Sequence, residues 1–184
     1  MWNTRDPVTW EFHREVQHRV VHLERLPLGT SYPRVVDEVK ELLVRAPSFQ
    51  APALVVDATG VGKPVLDLIR ARGVPGALVP VTITGGLKAT QDGPEWHVPK
   101  RELIVGLQVA FETGRLMIEP NIAGVDTLVS ELMAMRVRVG LSGHERFETW
   151  REGTHDDMVL AVALAWWEMN RKKPEGWRPQ GRLF

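Results

Sequence analysis

The sequence predicts an α/β protein in which helices flank a mixed β-sheet. Three observations indicate this fold class. Segments rich in β-branched and aromatic residues open the chain, helical apolar spacing and strand-like apolar runs then alternate, and one of those runs ends on an acid. Strands that precede such an alternation favour a mixed sheet over an all-parallel wound sheet.

The predicted strands are short segments of β-branched, aromatic or continuous apolar character. The first two form a hairpin across a polar break, and the stretch from Gly85 to Pro99 is predicted as a protruding hairpin or loop. The strand that ends at Asp57 is apolar throughout, which is typical of burial on both faces. The strands run from Val8 to His13, Arg19 to Leu26, Ala53 to Asp57, Ala77 to Ile83, Leu116 to Ile118 and Glu145 to Arg151, the last at a sheet edge.

The predicted helices share apolar positions three and four residues apart. Pro64 is placed at a first helical position, where its missing N–H costs nothing, and Gly114 ends the middle helix. Trp166 and Trp167 in the last helix are predicted to be core residues. The helices run from Val35 to Leu43, Pro64 to Ile69, Leu103 to Phe111, Leu128 to Met135 and Asp156 to Asn170.

The composition suits one globular domain with a buried core. The 184 residues are 43% hydrophobic, and 23 basic side chains balance 23 acidic ones. This even balance gives no global basic signal for nucleic acid, so any DNA contact has to come from a local patch. Cysteine is absent, which excludes a disulfide framework and a thiolate metal site. No apolar run is long enough to span a bilayer, and the sequence predicts a cytoplasmic protein with no membrane partner.

Asp57 is the first candidate for chemistry. It ends the predicted buried strand, and the glycines that follow at 60 and 62 leave room for a metal ion or a substrate phosphate. A structural alternative is that Asp57 caps the next helix. Gly62-Lys63 resembles the end of a nucleotide-binding P-loop, but that loop needs Gly where Asp57 stands and Ser or Thr where Pro64 stands. An ATPase site is therefore excluded.

Two adjacent acids open the last predicted helix. Asp156 and Asp157 follow His155, and the helix dipole alone is a sufficient structural reason for acids at this place. Because consecutive helical residues point about 100° apart, at most one of the pair can aim squarely at a given site. Asp157 shares a face with Ala161 and Ala165, whose small side chains can approach a sheet closely, so Asp157 is predicted to lie toward the sheet. Asp157 is therefore the first candidate ligand, Asp156 the second, and His155 an accessory.

Basic side chains near the Gly85 to Pro99 stretch are the candidate DNA contacts. Lys88 lies inside this stretch, and Lys100 and Arg101 follow it directly. A solvated helix start explains Lys100 and Arg101 equally well. Contacts with the DNA backbone would make the affinity fall steeply with salt.

Taken together, these segments resemble the nuclease domain of phage terminase large subunits. The resemblance covers about Asp6 to Trp167. Within this range it includes the segments Arg19 to Arg25, Val98 to Leu103 and His155 to Ala161. Each segment is weak alone, and their order and spacing carry the resemblance. It implies a ribonuclease H-like domain over residues 1–172, followed by a flexible C-terminal tail over residues 173–184.

The resemblance implies a phage- or prophage-encoded endonuclease of the host-cell cytoplasm that cuts double-stranded viral DNA during genome packaging. Mg²⁺ or Mn²⁺ in a two-ion site would be held by Asp57 together with Asp156 or Asp157. Two ions about 4 Å apart serve phosphodiester hydrolysis by activating a water and by stabilising charge, and carboxylate oxygens suit such ions. The implied partners are DNA and, in an intact terminase, the packaging ATPase domain, the small terminase subunit and the portal.

The sequence departs from this family at its start. In the family an opening strand with the first catalytic Asp precedes the segment that corresponds to Asp6-Pro7-Val8-Thr9, and too few residues lie before Asp6 for that strand. We therefore expect a ribonuclease H-like sheet without its first strand, weak metal binding, and feeble or no cleavage. Two alternatives stay open: a catalytically inactive DNA-binding or assembly remnant of the same fold, and a resolvase-like nuclease.

Overall fold

The computed structural model describes residues 2–5, 12–45, 52–60, 62–139, 145–149 and 156–171. No helix in these ranges is long and apolar enough to cross a membrane. The strands are β1 Trp2–Arg5, β2 Phe12–Glu15, β3 His18–Val20, β4 Ala53–Asp57, β5 Ala77–Thr84, β6 Thr90–Asp92, β7 Glu95–Pro99, β8 Leu116–Ile118, β9 Met135–Val139 and β10 Glu145–Thr149. The helices are α1 Tyr32–Arg45, α2 Gly62–Arg72, α3 Lys100–Glu112, α4 Val125–Ala134 and α5 Asp157–Asn170.

The chain divides into two compact units, and a four-stranded sheet organises the second, formed by Leu26–Lys100 and Leu164–Phe184. The strand order is β4-β5-β7-β6, in which β4, β5 and β7 are parallel and β6 is antiparallel to β7. Val81 and Val98 in the two middle strands are 0% exposed, so these strands form the core of the unit. The predicted fold class, a mixed sheet with helices, is confirmed.

Helices α1 and α2 pack against each other in the second unit. Val36 on α1 and Leu66 and Ile69 on α2 are buried, and Arg72 pairs with Asp37 between the two helices. Helix α2 begins at Gly62 rather than at the predicted Pro64. Proline is tolerated there because the first N–H groups of a helix have no partner within it.

The stretch from Gly85 to Pro99 forms a hairpin, but its second arm lies inside the sheet. β6 and β7 pair antiparallel, so the predicted hairpin is confirmed. The prediction that the stretch protrudes is wrong for β7, which pairs in parallel with β5 and buries Val98. The polar composition of the first arm, Thr90–Asp92, concealed this.

The first unit consists of Met1–Arg25 and Arg101–Ala163. Its described strands form three pairs: β1 and β2 antiparallel, β3 and β8 parallel, and β9 and β10 antiparallel. The apolar core of the described part includes Leu103 and Leu107 on α3, each 1% exposed, and Leu128 on α4, which is 0% exposed.

The pairing predicted for the opening strands is wrong. β2 pairs with β1, and β3 pairs in parallel with β8 rather than with the strand before it. Residues 6–11, which include most of the first predicted arm, lie outside the described residues. An alternating pattern indicates an extended segment, but it cannot identify a partner far along the chain, because any strand with a compatible face can supply the ladder.

Strand β9 is absent from the predicted elements. The predicted fourth helix is α4, which ends at Ala134, because Met135 adopts an extended conformation with φ −69° and ψ 134°. β9 then pairs with β10, which confirms the predicted strand at Glu145. Val137 and Val139 alternate with arginines in β9, a two-residue period that is typical of a strand and that the sequence analysis overlooked.

His18 on β3 makes the stability of the first unit sensitive to pH. Burial lowers the pKa of His18 from its ordinary value of 6.5, and the Arg115 guanidinium lowers it further. Because the folded-state pKa lies below the unfolded one, the unfolded chain binds more protons in the window just below 6.5. Folding stability from this residue is therefore present above that window and is lost as the pH falls through it.

We expect His18→Gln to remove this loss. The unfolding free energy is measured with urea at about pH 7.5 and about pH 5.5. The decrease between the two pH values should be smaller for the variant than for wild type. The difference should be less than about 1 kcal/mol, because solvent screens the site. His22→Gln is the control, since His22 pairs with Glu24 on the surface. An identical decrease for wild type and His18→Gln would contradict the prediction.

Candidate functional site

Asp57 lies at the carboxyl end of β4, where a turn holds its side chain. The Thr59 N–H donates to Asp57 Oδ1 at 2.9 Å. The turn is tied to the neighbouring strand twice, since the Ala58 N–H donates to the Val81 carbonyl at 2.8 Å and the Ile83 N–H donates to Thr59 Oγ1 at 2.8 Å. Asp57 thus stabilises the turn before α2 and has a restricted orientation.

The register of the sheet defines the face on which Asp57 lies. Asp57 pairs with Val81 and Val81 pairs with Trp96 in parallel ladders, so these three side chains share one face. Trp167 packs edge-on against Trp96, with ring centroids 5.3 Å apart. The part of α5 that belongs to the second unit therefore covers the face that carries Asp57.

The two tryptophans of α5 are core residues, as predicted. Trp166 is 6% exposed and Trp167 is 7% exposed. The Arg171 guanidinium lies 5.0 Å from the centre of the Trp96 ring and 5.9 Å from that of Trp167. A cation over two aromatic faces adds to the stability of this packing.

The predicted orientation of Asp157 is wrong. The side chain of Asp157 is 70% exposed, and Ala161 and Ala165 on the same helix face are also exposed, whereas Ala163 is 0% exposed. The buried part of α5 is instead set by its larger apolar residues, which are Met158, Val159, Val162, Leu164, Trp166 and Trp167. The face shared with the alanines is therefore no reason to prefer Asp157 over the half-buried Asp156.

Glu131 on α4 is a residue at this place that the sequence analysis missed. It is 5% exposed, and its Oε2 accepts the N–H groups of Met158 and Val159 at 3.0 and 3.1 Å. These are first-turn donors of the kind that an N-cap side chain ordinarily bonds, so Glu131 holds the first turn of α5 from outside that helix. The spacing of three residues from buried Leu128 is the signal that could have identified Glu131.

Arg25 connects the acids at the start of α5. Its guanidinium donates to Glu131 Oε1, and its Nη2 lies 3.6 Å from Asp157 Oδ2. All of these residues belong to the first unit. The positive charge of Arg25 offsets the repulsion between the Glu131 and Asp157 carboxylates.

The basic candidates occupy different elements. Lys88 is exposed in the loop between β5 and β6, while Lys100 and Arg101 are the first two residues of α3. Lys88 and Lys100 belong to the second unit and Arg101 to the first. His155, the accessory candidate, lies outside the described residues.

The three candidate acids fall in different units. Asp57 belongs to the second unit, and Asp156 and Asp157 belong to the first. Within the described ranges, no three Asp, Glu or His side chains form a group that could hold a metal ion. The shared metal site of Asp57, Asp156 and Asp157 stays a prediction.

Solved structures of one protein type are similar to this chain. The large terminase nuclease of the thermophilic phage G20c matches with a TM-score of 0.53, at 24% identity in its cobalt-bound and magnesium-bound structures and at 25% in a further one. Each match covers 75% of this chain and 62% of the nuclease, so the chain spans less than two thirds of that protein. No protein-family model matches the sequence, and no curated protein does. The chain therefore has the ribonuclease H-like fold of phage large terminase nucleases.

Proposed function

We propose that this chain is the metal-dependent endonuclease domain of a phage terminase large subunit, phage- or prophage-encoded, that cuts double-stranded DNA during genome packaging. The observation that carries the proposal is the structural similarity to the G20c large terminase nuclease over 75% of the chain. That nuclease holds cobalt in one structure and magnesium in another. Asp57, at the carboxyl end of β4, adds an acid at the end of the sheet where open α/β sheets commonly bind ligands.

The proposed metal ligands are Asp57, Asp156 and Asp157. They supply carboxylate oxygens, which fit the hard ions Mg²⁺ and Mn²⁺. Among the described residues, Asp57 accepts one backbone N–H, and a carboxylate has about four lone-pair sites, so capacity for an ion is left. When bound, two divalent ions would supply an activated water on one side of the phosphorus and charge stabilisation on the other.

The chain's own residues have distinct proposed tasks. The Thr59 N–H orients the Asp57 carboxylate, and His155 assists beside the acids. Lys88, Lys100 and Arg101 bind backbone phosphates, so affinity for DNA falls as salt rises. In an intact terminase, the partners would be the packaging ATPase domain, the small terminase subunit and the portal, in the host-cell cytoplasm.

Nicking of supercoiled plasmid tests the proposal. The protein is incubated at high concentration with Mg²⁺, Mn²⁺ or Co²⁺, and a parallel reaction contains excess EDTA. We expect slow nicking that needs a divalent ion and that EDTA abolishes, because the ions supply the charge stabilisation of the reaction. No nicking with any of the three ions would contradict the enzymatic proposal and favour an inactive DNA-binding module of the same fold.

A further inference from the structure

We propose that Glu131 and Arg25 are positioning residues, which hold the first turn of α5 and thereby orient the acids at 156 and 157. The inference rests on the proposed function, because it assigns both residues to the same metal site. Glu131 is a buried carboxylate that the proposed reaction does not otherwise use. Glu131 is 5% exposed, and an acid is rarely buried unless it is paired.

Both oxygens of Glu131 are engaged by protein donors. Oε2 accepts the N–H groups of Met158 and Val159, and Oε1 accepts a hydrogen bond from Arg25. The positive end of the α5 dipole and the guanidinium both stabilise its charge. A carboxylate bonded in this way acts on its neighbours through the helix and is not itself a suitable metal ligand.

Arg25 extends this contact to Asp157. Its Nη2 lies 3.6 Å from Asp157 Oδ2, and its side chain is 38% exposed where that of Asp157 is 70% exposed. The guanidinium presents its donors in a rigid planar fork. It can therefore hold Glu131 and at the same time limit the orientations of the Asp157 carboxylate, which faces solvent.

Close packing keeps the contributing segments together. Gly124, with φ +84°, precedes α4, and a Cβ at this position would lie 2.8 Å from Met158 Cε and 3.3 Å from Leu23 Cβ. The segment that leads to Arg25, the start of α4 and the first turn of α5 are thus in close contact. Glu131 is presented to α5 by packed elements, which is what orientation of a ligand requires.

The test compares Glu131→Gln with Glu119→Gln. Glu119 forms an exposed ion pair with Arg19 at 3.2 Å in the same unit and has no part in the proposed site, so it controls for the loss of one negative charge. We expect Glu131→Gln to raise amide hydrogen exchange at Met158 and Val159 about 10-fold in metal-free protein. It should also weaken Mn²⁺ binding about 10- to 100-fold, whereas Glu119→Gln changes neither quantity.

Arg25 has a test of its own. Arg25→Lys keeps the positive charge and removes the planar fork, so Mn²⁺ binding should weaken about 10-fold while exchange at Met158 and Val159 changes less than in Glu131→Gln. If Glu131→Gln does not fold, Arg25→Gln provides the same two measurements at a partly exposed position.

Two results would overturn the inference. Folded Glu131→Gln with wild-type exchange at Met158 and Val159 would show that Glu131 does not hold the turn, and wild-type Mn²⁺ affinity would show that the turn does not orient the ligands. Failure of the proposed function looks different. In that case the wild-type protein either does not bind Mn²⁺ or binds it with an affinity that Asp57→Asn leaves unchanged. The metal part of the inference then fails too. The exchange rates at Met158 and Val159 still decide whether Glu131 holds α5.

Discussion

Replacing Asp57 with Asn should abolish the slow metal-dependent nicking of plasmid DNA. Asn has nearly the size of Asp, and its Oδ1 can still accept the Thr59 N–H, so the turn before α2 is kept. The variant loses a negative charge and an anionic oxygen, which hard divalent ions require. The initial rate of plasmid nicking with Mn²⁺ measures the effect, and calorimetric titration with Mn²⁺ should show a matching loss of affinity.

Asp67→Asn is the matched control for this experiment. Asp67 lies on α2 in the same unit, is 70% exposed, and pairs with Arg70 at 2.8 Å. The substitution removes the same charge at a place with no proposed task, so nicking should stay at the wild-type rate. Equal nicking rates for Asp57→Asn and Asp67→Asn would exclude Asp57 from the metal site.

Replacing Glu131 with Ala should lower the free energy of unfolding by about 3 kcal/mol. The substitution leaves the N–H groups of Met158 and Val159 without their carboxylate acceptor and removes the buried partner of Arg25. Because Arg25 is partly exposed, water can solvate its guanidinium once the carboxylate is gone. The decrease in unfolding free energy is therefore smaller than for a fully buried charge left without a partner. Urea unfolding followed by circular dichroism measures the change.

Glu119→Ala separates burial from simple loss of charge. Its ion pair with Arg19 joins side chains that are 43% and 55% exposed, and such pairs contribute about 0–1 kcal/mol. A loss of that small size for Glu131→Ala as well would contradict a structural task for the buried carboxylate. A large loss for Glu119→Ala would point to charge, rather than to the Glu131 contacts, as the cause.

Local patterns predicted most elements of the structure. The strand predicted at Ala53 to Asp57 is β4 with the same bounds, and the predicted strand from Ala77 to Ile83 is β5 with one residue added. Both segments are apolar almost throughout, so composition alone identifies them. The prediction that β4 is buried on both faces is wrong, since it lies at the edge of the sheet and is at most half-buried, whereas β5 buries Val79, Pro80 and Val81. The pairing of β3 with β8 could not be predicted, since nothing in either segment specifies a parallel partner.

In the candidate site, too, local features could be predicted from the sequence and contacts between distant segments could not. Asp57 is recognisable because an acid that ends an apolar strand is a local feature, and the structure places it at the end of β4. Glu131 looks like an ordinary acid on an amphipathic helix. Its burial depends on α4, α5 and Arg25 meeting in space, and only that meeting makes its charge tolerable.

The sequence by itself determined where helices and strands occur and which acids end a strand or open a helix, because these properties depend on neighbours along the chain. Only the tertiary structure decided which face of α5 is buried and which strand β3 joins. It also decided that Glu131 caps α5. Helix α5 is apolar almost all round, so its orientation follows from the large side chains it meets, such as Trp96 at Trp167, and not from the alanines it carries.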